Sequence, residues 1–167
     1  PVTEALKQAE ADLVEIGRSM AKEAERLEQA SRSDRQMTMR SRQALVVSID
    51  ALKKTAAQIE QQVEAFSAGR IDNLPDYAAQ LQQYRRILRA LAQTVMPTLD
   101  RQLEKVVDDS RAAGQTRELA LTIKVSSRKT RERARAALSL LETVRVDSAY
   151  QRLRQSLGSG AVVLAIG

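Results

Sequence analysis

Apolar residues recur at alternating steps of three and four along two long stretches of this chain. In residues 3–30 they share one helical face, at Leu6, Ala9, Leu13, Ile16, Met20, Leu27 and Ala30. Glu23 is the one polar residue on that face. A second run with the same spacing follows, at Leu45, Ile49, Leu52, Ala56, Ile59, Val63 and Phe66. This spacing is typical of amphipathic helices and predicts packing like that of a coiled coil.

The two runs are out of phase, so the segment between them must reset the helical face. That segment, residues 31–43, reads SRSDRQMTMRSRQ and contains neither Gly nor Pro. Ser33 followed by Gln36 fits a capping box, in which the Ser oxygen accepts a hydrogen bond from a free backbone N–H at a helix start. We therefore favour a tight turn between two helices. The alternative is one helix of about 65 residues with a phase slip, roughly 95 Å long.

A second break, at residues 67–77, separates these helices from the next one. It contains Gly69, which suits the position after a helix end, and Pro75, which suits the first turn of the following helix. The third helix then has an apolar face at Tyr77, Leu81, Tyr84, Leu88, Leu91 and Val95, which resumes at Leu99, Leu103 and Val106.

Pro97 lies inside the third helix and predicts a kink there, because proline removes a backbone hydrogen bond and crowds the preceding turn. The segment around Gly114 predicts the next turn. A fourth helix is predicted from about residue 116 to 157. Its apolar face begins with Ile123, Ala134, Ala137, Leu141 and Val144.

The composition agrees with a helical protein. One Phe, three Tyr, no Trp, six Gly and three Pro are too few strand-forming and turn residues for a β-rich domain. We therefore predict an all-α fold, an elongated antiparallel helical bundle of four long helices, or three if the first two are continuous. Residues 1–157 would form a single helical-bundle domain. Residues 158–167 would form a flexible Gly-Ser joint and an apolar tail.

The absence of two residue types limits the chemistry of the chain. It contains no Cys and no His. The usual zinc sites, thiolate nucleophiles, Ser-His-Asp triads and the Glu-x-x-His ligands of di-iron bundles are thereby excluded. We expect a protein that is not an enzyme, with no metal, no cofactor and no small-molecule substrate.

Basic residues form a stripe on the predicted fourth helix. They recur at steps of four, three and four, at Lys124, Arg128, Arg131 and Arg135. Such a stripe can bind phosphate groups or an acidic partner. The preceding helix offers another interpretation, because its acidic residues recur at steps of four, at Asp100, Glu104 and Asp108. In a hairpin that turns near Gly114, Glu104 would lie near Val125. Asp100 would lie near Lys129. We favour interhelical ion pairs and keep anion or partner binding as the alternative.

A second basic cluster lies in the predicted first turn, at Arg32, Arg35, Arg40 and Arg42. The first and third turns share one end of an up-down-up-down bundle, so both clusters should lie toward that end. They are candidate contacts for an acidic protein, an anionic membrane or a nucleic acid. Neither cluster has aromatic residues beside it for base stacking, which weakens the case for single-stranded nucleic acid. For Met37 and Met39, we favour gap filling in the core over an adaptable contact surface.

The chain ends in AVVLAIG, residues 161–167, with Val162, Val163, Leu164 and Ile166 as candidates for insertion into a membrane or a partner. Seven residues are too few to span a bilayer. Three interpretations stay open. The tail folds back over the bundle end, it begins a longer hydrophobic segment of a parent chain, or it inserts into a partner or a membrane surface.

Together these observations favour a non-enzymatic module for protein–protein interaction or scaffolding. We expect a protein partner or self-association. A membrane-associated bundle is the alternative, and nucleic-acid binding through the Arg-rich stripes is a third. The layout of long helices beside an apolar segment resembles bacterial helical sensor modules and the stalks of helical pore-forming toxins, although no motif is shared. We expect a bacterial protein in the cytoplasm, with the membrane surface as the alternative location.

Overall fold

A computed structural model describes residues 2–67, 74–145, 151 and 155 of the chain. Its main elements are α1 (Val2–Ser33), α2 (Met39–Ser67), α3 (Leu74–Ala90), a π-helical turn (Leu91–Val95), α4 (Met96–Val107) and α5 (Gly114–Glu142). Because α3, the π-helical turn and α4 follow one another without a gap, they form one rod. The described residues thus form four helical rods, which confirms the predicted all-α helical bundle.

The rods are arranged as a four-helix bundle. α1 packs against α2 and α5, and α4 packs against the same two helices. α1 and the α3–α4 rod therefore lie on one diagonal of the bundle, and α2 and α5 lie on the other. Each short turn brings two antiparallel helices together, as expected for this connectivity.

The predicted apolar faces line the core. Leu13, Leu27, Leu45, Leu52 and most of their neighbours at the predicted positions are buried. The second run is the least enclosed, because Ile49, Ala56, Val63 and Phe66 are only partly buried at the margin of the core. Burial of these apolar side chains is the main favourable contribution to the free energy of folding.

Glu23, the polar residue on the apolar face of α1, is accommodated by hydroxyl groups. Its Oε1 accepts hydrogen bonds from Ser19 Oγ at 3.1 Å and from Ser126 Oγ of α5 at 2.8 Å. Burial raises the pKa of Glu23, although these hydrogen bonds and the nearby Arg26 oppose the rise. The residue thus links α1 to α5 through a polar contact at the edge of the core.

The first turn, between Ser33 and Met39, is a sharp reversal, so residues 2–67 form two helices. The predicted Ser33–Gln36 capping box is wrong, because Ser33 Oγ donates to the Gln29 carbonyl inside α1. Thr38 caps α2 instead, since its Oγ1 accepts from the backbone N–H of Ser41 at 3.2 Å. Asp34 shapes the turn, because its Oδ1 accepts from two backbone N–H groups, those of residues 36 and 37. A short carboxylate side chain can bond its own backbone in this way, which a capping-box search does not test.

The first turn and the third turn, residues 108–113, hold each other through two aspartates. Asp109 Oδ2 accepts from the Thr38 N–H at 2.9 Å and from the Ser41 hydroxyl at 2.6 Å. In return, Asp34 Oδ2 accepts from the Ala113 N–H at 2.7 Å. Asp34 and Asp109 are 5% and 8% exposed. We call this pair, with the groups that it binds, the aspartate clasp. It shows that the two turns lie at the same end of the bundle, as the connectivity predicted.

The two carboxyl groups stay ionised when buried. Burial opposes the charge of Asp109, but hydrogen bonds from the Ser41 hydroxyl and from the Thr38 and Arg111 backbone outweigh it and hold its pKa far below the usual range. The pKa of Asp34 is lowered in the same way, because bonds from Thr116 and from backbone N–H groups outweigh its burial.

Both turns repeat one pattern, an Asp followed after six residues by Ser or Thr and then Arg. Asp34, Ser41 and Arg42 form it in the first turn. Asp109, Thr116 and Arg117 form it in the third turn. Each arginine binds the end of the helix that precedes its turn. Arg42 donates to the Ser31 carbonyl at 3.1 Å, and Arg117 donates to the Val107 carbonyl at 3.0 Å. The α1–α2 and α4–α5 hairpins therefore share the same turn construction.

The last helix ends earlier than predicted. α5 ends at Glu142, and Arg85 of α3 binds its carboxyl end by donating to the carbonyls of Leu141 at 2.7 Å and Val144 at 3.0 Å. Because Arg85 of a distant helix binds this end, the local spacing of apolar residues could not predict where α5 ends. The apolar positions predicted beyond it, at Val146, Tyr150, Leu153 and Leu157, lie outside the described residues.

Asp109→Asn should destabilise the fold through the clasp. We expect a loss of about 1.5–3 kcal/mol in the free energy of unfolding at pH 7, because an amide accepts fewer and weaker hydrogen bonds than a buried carboxylate. Since the folded pKa is lowered, the contribution is complete above the unfolded value near 4 and is lost as the pH falls. Urea unfolding at several pH values measures it.

The exposed neighbour Asp108 supplies the matched control. Asp108→Asn makes the same charge change outside the clasp and should stay within about 0.5 kcal/mol of the parent chain. A stability difference for Asp109→Asn that does not shrink between pH 6 and pH 3, or that equals the effect of Asp108→Asn, would contradict the role of the clasp.

Candidate functional site

The basic stripe on α5 is largely engaged inside the bundle. Lys124 is 7% exposed, and its Nζ forms ion pairs with Asp100, at 3.4 Å, and with Glu104. Arg128 Nε lies 3.1 Å from Asp100 Oδ2. Ion pairs therefore join α4 to α5, with partners shifted by one residue from the predicted positions. Both residues thus contribute to helix pairing, but only Lys124 is buried, since the side chain of Arg128 is still 66% exposed.

Arg131 binds an irregularity in the third rod. The Met96 N–H donates to the Leu91 carbonyl, five residues back, and so leaves the Ala92 carbonyl without its usual α-helical donor. The next donor at the same spacing would be residue 97, which is proline and has no N–H. Arg131 Nε donates to the Ala92 carbonyl instead, at 3.0 Å. The guanidinium thus replaces the hydrogen bond that Pro97 cannot make.

Arg135, the last member of the stripe, points outward. It is 52% exposed and pairs weakly with Glu132 of its own helix, at 3.5 Å. The four stripe residues therefore have different environments, although their spacing places them on one helical face. The stripe therefore does not present its four charges together on one exposed surface.

The cluster in the first turn is divided in a similar way. Arg42 binds the end of α1, and Arg32 pairs with Glu28 at 3.3 Å. Arg35 and Arg40 are exposed and form no ion pair within the described part of the chain. Arg111 of the third turn is exposed at the same end of the bundle. We call Arg35, Arg40 and Arg111 the turn-end basic surface. Sequence reasoning missed Arg111, because it considered runs of basic residues and Arg111 is a single basic residue in the third turn.

The two methionines of the first turn also have different environments. Met37 is 5% exposed and fills the core as expected, whereas Met39 is 71% exposed. Met39 is therefore an apolar side chain beside the turn-end basic surface.

A groove between α1 and α2 forms an open concave surface on the described residues. Its volume is about 740 Å³. It is lined by Val14, Gly17, Arg18, Ala21, Lys53, Ala56, Ala57, Ile59, Glu60, Val63 and Glu64. We call it the α1–α2 groove. Its floor is formed by small and partly buried apolar side chains, and its rims carry the four charged ones.

Gly17 brings α1 and α2 close together at the centre of the groove. A Cβ at this position would lie 3.2 Å from Ile59 Cγ2, which is tighter than ordinary packing. Together with Ala21, Ala56 and Ala57 it leaves room above the helices for another chain. Sequence reasoning missed the groove, because Gly17, Ala21 and Ala57 lie outside the apolar positions from which the helical faces were predicted.

Two further kinds of site are not formed by the described residues. In 2–67 and 74–145, no three Asp, Glu, Cys or His side chains lie close enough together to hold a metal ion. The same residues form no helix that is both long enough and apolar enough to cross a bilayer. The candidate insertion residues Val162, Val163, Leu164 and Ile166 lie outside the described residues.

No protein-family model matches this chain, and neither does any curated protein or solved structure. The surfaces of the chain itself therefore provide the observations that bear on its function. The α1–α2 groove and the turn-end basic surface are the candidates that remain after the internal ion pairs and helix caps are assigned.

The bond from Arg131 can be tested with a double-mutant cycle. Arg131→Met should lower the free energy of unfolding by about 1–3 kcal/mol, because it leaves the buried Ala92 carbonyl without a donor. In a Pro97→Ala background the cost of Arg131→Met should be smaller, since residue 97 then has an N–H for that carbonyl. Urea unfolding of the four chains gives the coupling energy.

Arg135→Met is the matched control, because it removes an exposed guanidinium from the same helix and should cost no more than about 0.5 kcal/mol. An equal cost of Arg131→Met with and without Pro97 would show that the two residues do not act on the same carbonyl.

Proposed function

We propose that this chain is a non-enzymatic interaction module that binds a helical protein partner in the α1–α2 groove. The observation that carries the proposal is the groove itself. It is open, has a volume of about 740 Å³ and has an apolar floor of small residues. A groove between two helices can receive the apolar face of a third helix.

The chemistry of the groove supports helix binding. Val14, Ile59 and Val63 are buried or half-buried and line the floor, so a partner helix would cover apolar surface there. Small residues at Gly17, Ala21 and other positions allow a backbone to approach closely. The expected partner segment therefore has large apolar residues at steps of three and four, which fill the space above the small ones.

The charges on the rims would orient such a partner. Arg18, Glu60 and Glu64 are exposed and form no ion pair within the described residues. Lys53 pairs with Glu28 but is still 56% exposed. Charged groups at the rim of an interface affect orientation and the association rate more than the affinity.

A photo-cross-linking amino acid at Ala57 tests this function. We expect a discrete adduct with a protein from an extract of the source cells, because Ala57 is exposed and lines the groove. Adding Ala21→Gln should reduce the adduct yield several-fold, since the longer side chain would occupy the space of the partner helix. Gel electrophoresis and mass spectrometry measure the yield and identify the partner.

The matched control carries the same cross-linker at Ala136, an exposed alanine of α5 on a different part of the bundle. It should give little of the adduct. Equal labelling from the two positions, or an adduct at Ala57 that Ala21→Gln leaves unchanged, would contradict binding in the groove.

A second candidate function is favoured by the turn-end basic surface. Arg35, Arg40 and Arg111 project from one end of the bundle, while Asp34 and Asp109 are buried in the clasp. Met39, which directly precedes Arg40, is 71% exposed. Basic residues next to exposed apolar ones suit an anionic membrane surface, which in cells is mainly the cytoplasmic leaflet. In this role the chain would lie in the cytoplasm against the membrane.

Vesicle co-sedimentation tests this second candidate. The chain should bind vesicles that contain phosphatidylserine and bind pure phosphatidylcholine vesicles much less, because the attraction is electrostatic. Replacing Arg35, Arg40 and Arg111 by Gln should lower binding at least about tenfold, at about 1 kcal/mol for each charge. Replacing Arg18, Lys22 and Arg26 of α1 by Gln changes the net charge equally and should have a smaller effect. Equal losses in the two triple variants would contradict a specific surface.

A further inference from the structure

The four charges of the α1–α2 groove are separated by sign along its length. The contact of Gly17 with Ile59 shows which residues of the two helices lie at the same level. On this basis Arg18 and Lys53 lie at the centre and toward the first turn. Glu60 and Glu64 lie on the other side of the centre, toward the opposite end of the bundle. The half toward the first turn is therefore basic through Lys53, which also pairs with Glu28, and the other half is acidic through Glu64, while Arg18 and Glu60 lie within two residues of the centre.

This separation discriminates between two ways of placing identical faces together. In a parallel arrangement, Lys53 would meet the basic half and Glu64 the acidic half of the other copy, while Arg18 would lie opposite Glu60. In an antiparallel arrangement, a two-fold axis across the groove near Gly17 and Ala57 places each basic half over an acidic one. Lys53 of each copy then lies close to Glu60 and Glu64 of the other. Lys53 meets Glu60 and Glu64 only in the antiparallel arrangement, and both copies make this contact, so the charge pattern favours it over the parallel one.

The residues at the centre allow such a contact. The two α2 helices would cross at Ala56 and Ala57, where small side chains let helix backbones approach closely. In an isologous dimer every contact occurs twice, so one apolar floor would cover another, with two sets of ion pairs at the rim.

We propose that the α1–α2 groove binds the same face of a second copy of this chain, packed antiparallel. This inference rests on the proposed function, because it names the partner of the same groove. A different protein in the groove would leave the proposed function intact and contradict the self-association, so the two proposals can fail separately.

The oligomeric state of the purified full chain provides the first test. Sedimentation velocity or light scattering should show a mass that rises from one chain to two with concentration. Glu60→Lys with Glu64→Lys makes the groove wholly basic, and Arg18→Glu with Lys53→Glu makes it wholly acidic. Each double variant should weaken dimerisation at least about tenfold, because like charges then face each other. Circular dichroism and thermal unfolding would verify that both variants keep the fold.

Mixing the two double variants gives the decisive measurement. Each alone should be monomeric at concentrations where the parent chain is dimeric, and an equimolar mixture should recover the dimer. A purely structural effect of the substitutions could not be reversed by mixing. A parent chain that is monomeric at every concentration, or a mixture that stays as monomeric as its components, would overturn the inference.

Cysteine cross-linking tests the antiparallel geometry, because the chain contains no Cys of its own. Ala57→Cys lies near the proposed axis, so a short bismaleimide should join two copies efficiently. Ala136→Cys on α5 is the matched control and should give little dimer. In a parallel arrangement position 57 would face α1 of the other copy. Cross-linking at position 57 no greater than at position 136 would therefore overturn the antiparallel contact.

Discussion

Two buried carboxylates determine how the two halves of this bundle meet. Each hairpin sends an aspartate from its turn into the turn of the other, so Asp34 binds the N–H of Ala113 and Asp109 binds Thr38 and Ser41. Hydrogen bonds to a buried charge are strong and directional, and a displaced partner would leave that charge unsatisfied. Apolar seams rich in alanine allow several axial positions at similar cost. The clasp selects one of these axial positions. It thereby sets the α1–α2 hairpin relative to the α4–α5 hairpin at the end of the bundle where the two turns lie.

Arginine has a second structural role in this protein. Arg42, Arg117 and Arg85 donate to carbonyl groups at the carboxyl ends of α1, α4 and α5. Arg131 donates to the carbonyl that the π-helical turn and Pro97 leave without a donor. A guanidinium presents several N–H groups in a fixed plane and remains charged, so it suits helix ends better than lysine does. Four arginines of the described residues therefore bind the bundle's own backbone.

The same use of arginine restricts where function can reside. After the arginines that bind the bundle's own backbone are assigned, many other charged side chains of the described surface remain without an ion pair. Several of those that remain border the α1–α2 groove, where Gly17 and nearby alanines leave a shallow apolar floor. Small residues bury little apolar area and would weaken a closed core. At a surface that another helix covers they are suitable, because they let the two helix backbones approach closely. Part of the apolar burial that this alanine-rich chain lacks would then come from association.

The sequence by itself determined the helical class, the main breaks and most of the buried positions, because period and composition are local properties of a chain. Leu13, Leu52 and Leu88 are fully buried where the spacing placed them. The capping of the first turn, the end of α5 at Glu142 and the neighbours of Lys124 differed from expectation or were shifted by one residue. Each of these depends on groups distant in sequence, namely Asp109, Arg85 and the acidic residues of α4. The repeated Asp and Arg pattern of the two turns was visible in the sequence, but only the tertiary structure showed that its two copies bind each other. The candidate surfaces were decided in the same way, because a residue becomes available to a partner only when the fold leaves it unpaired.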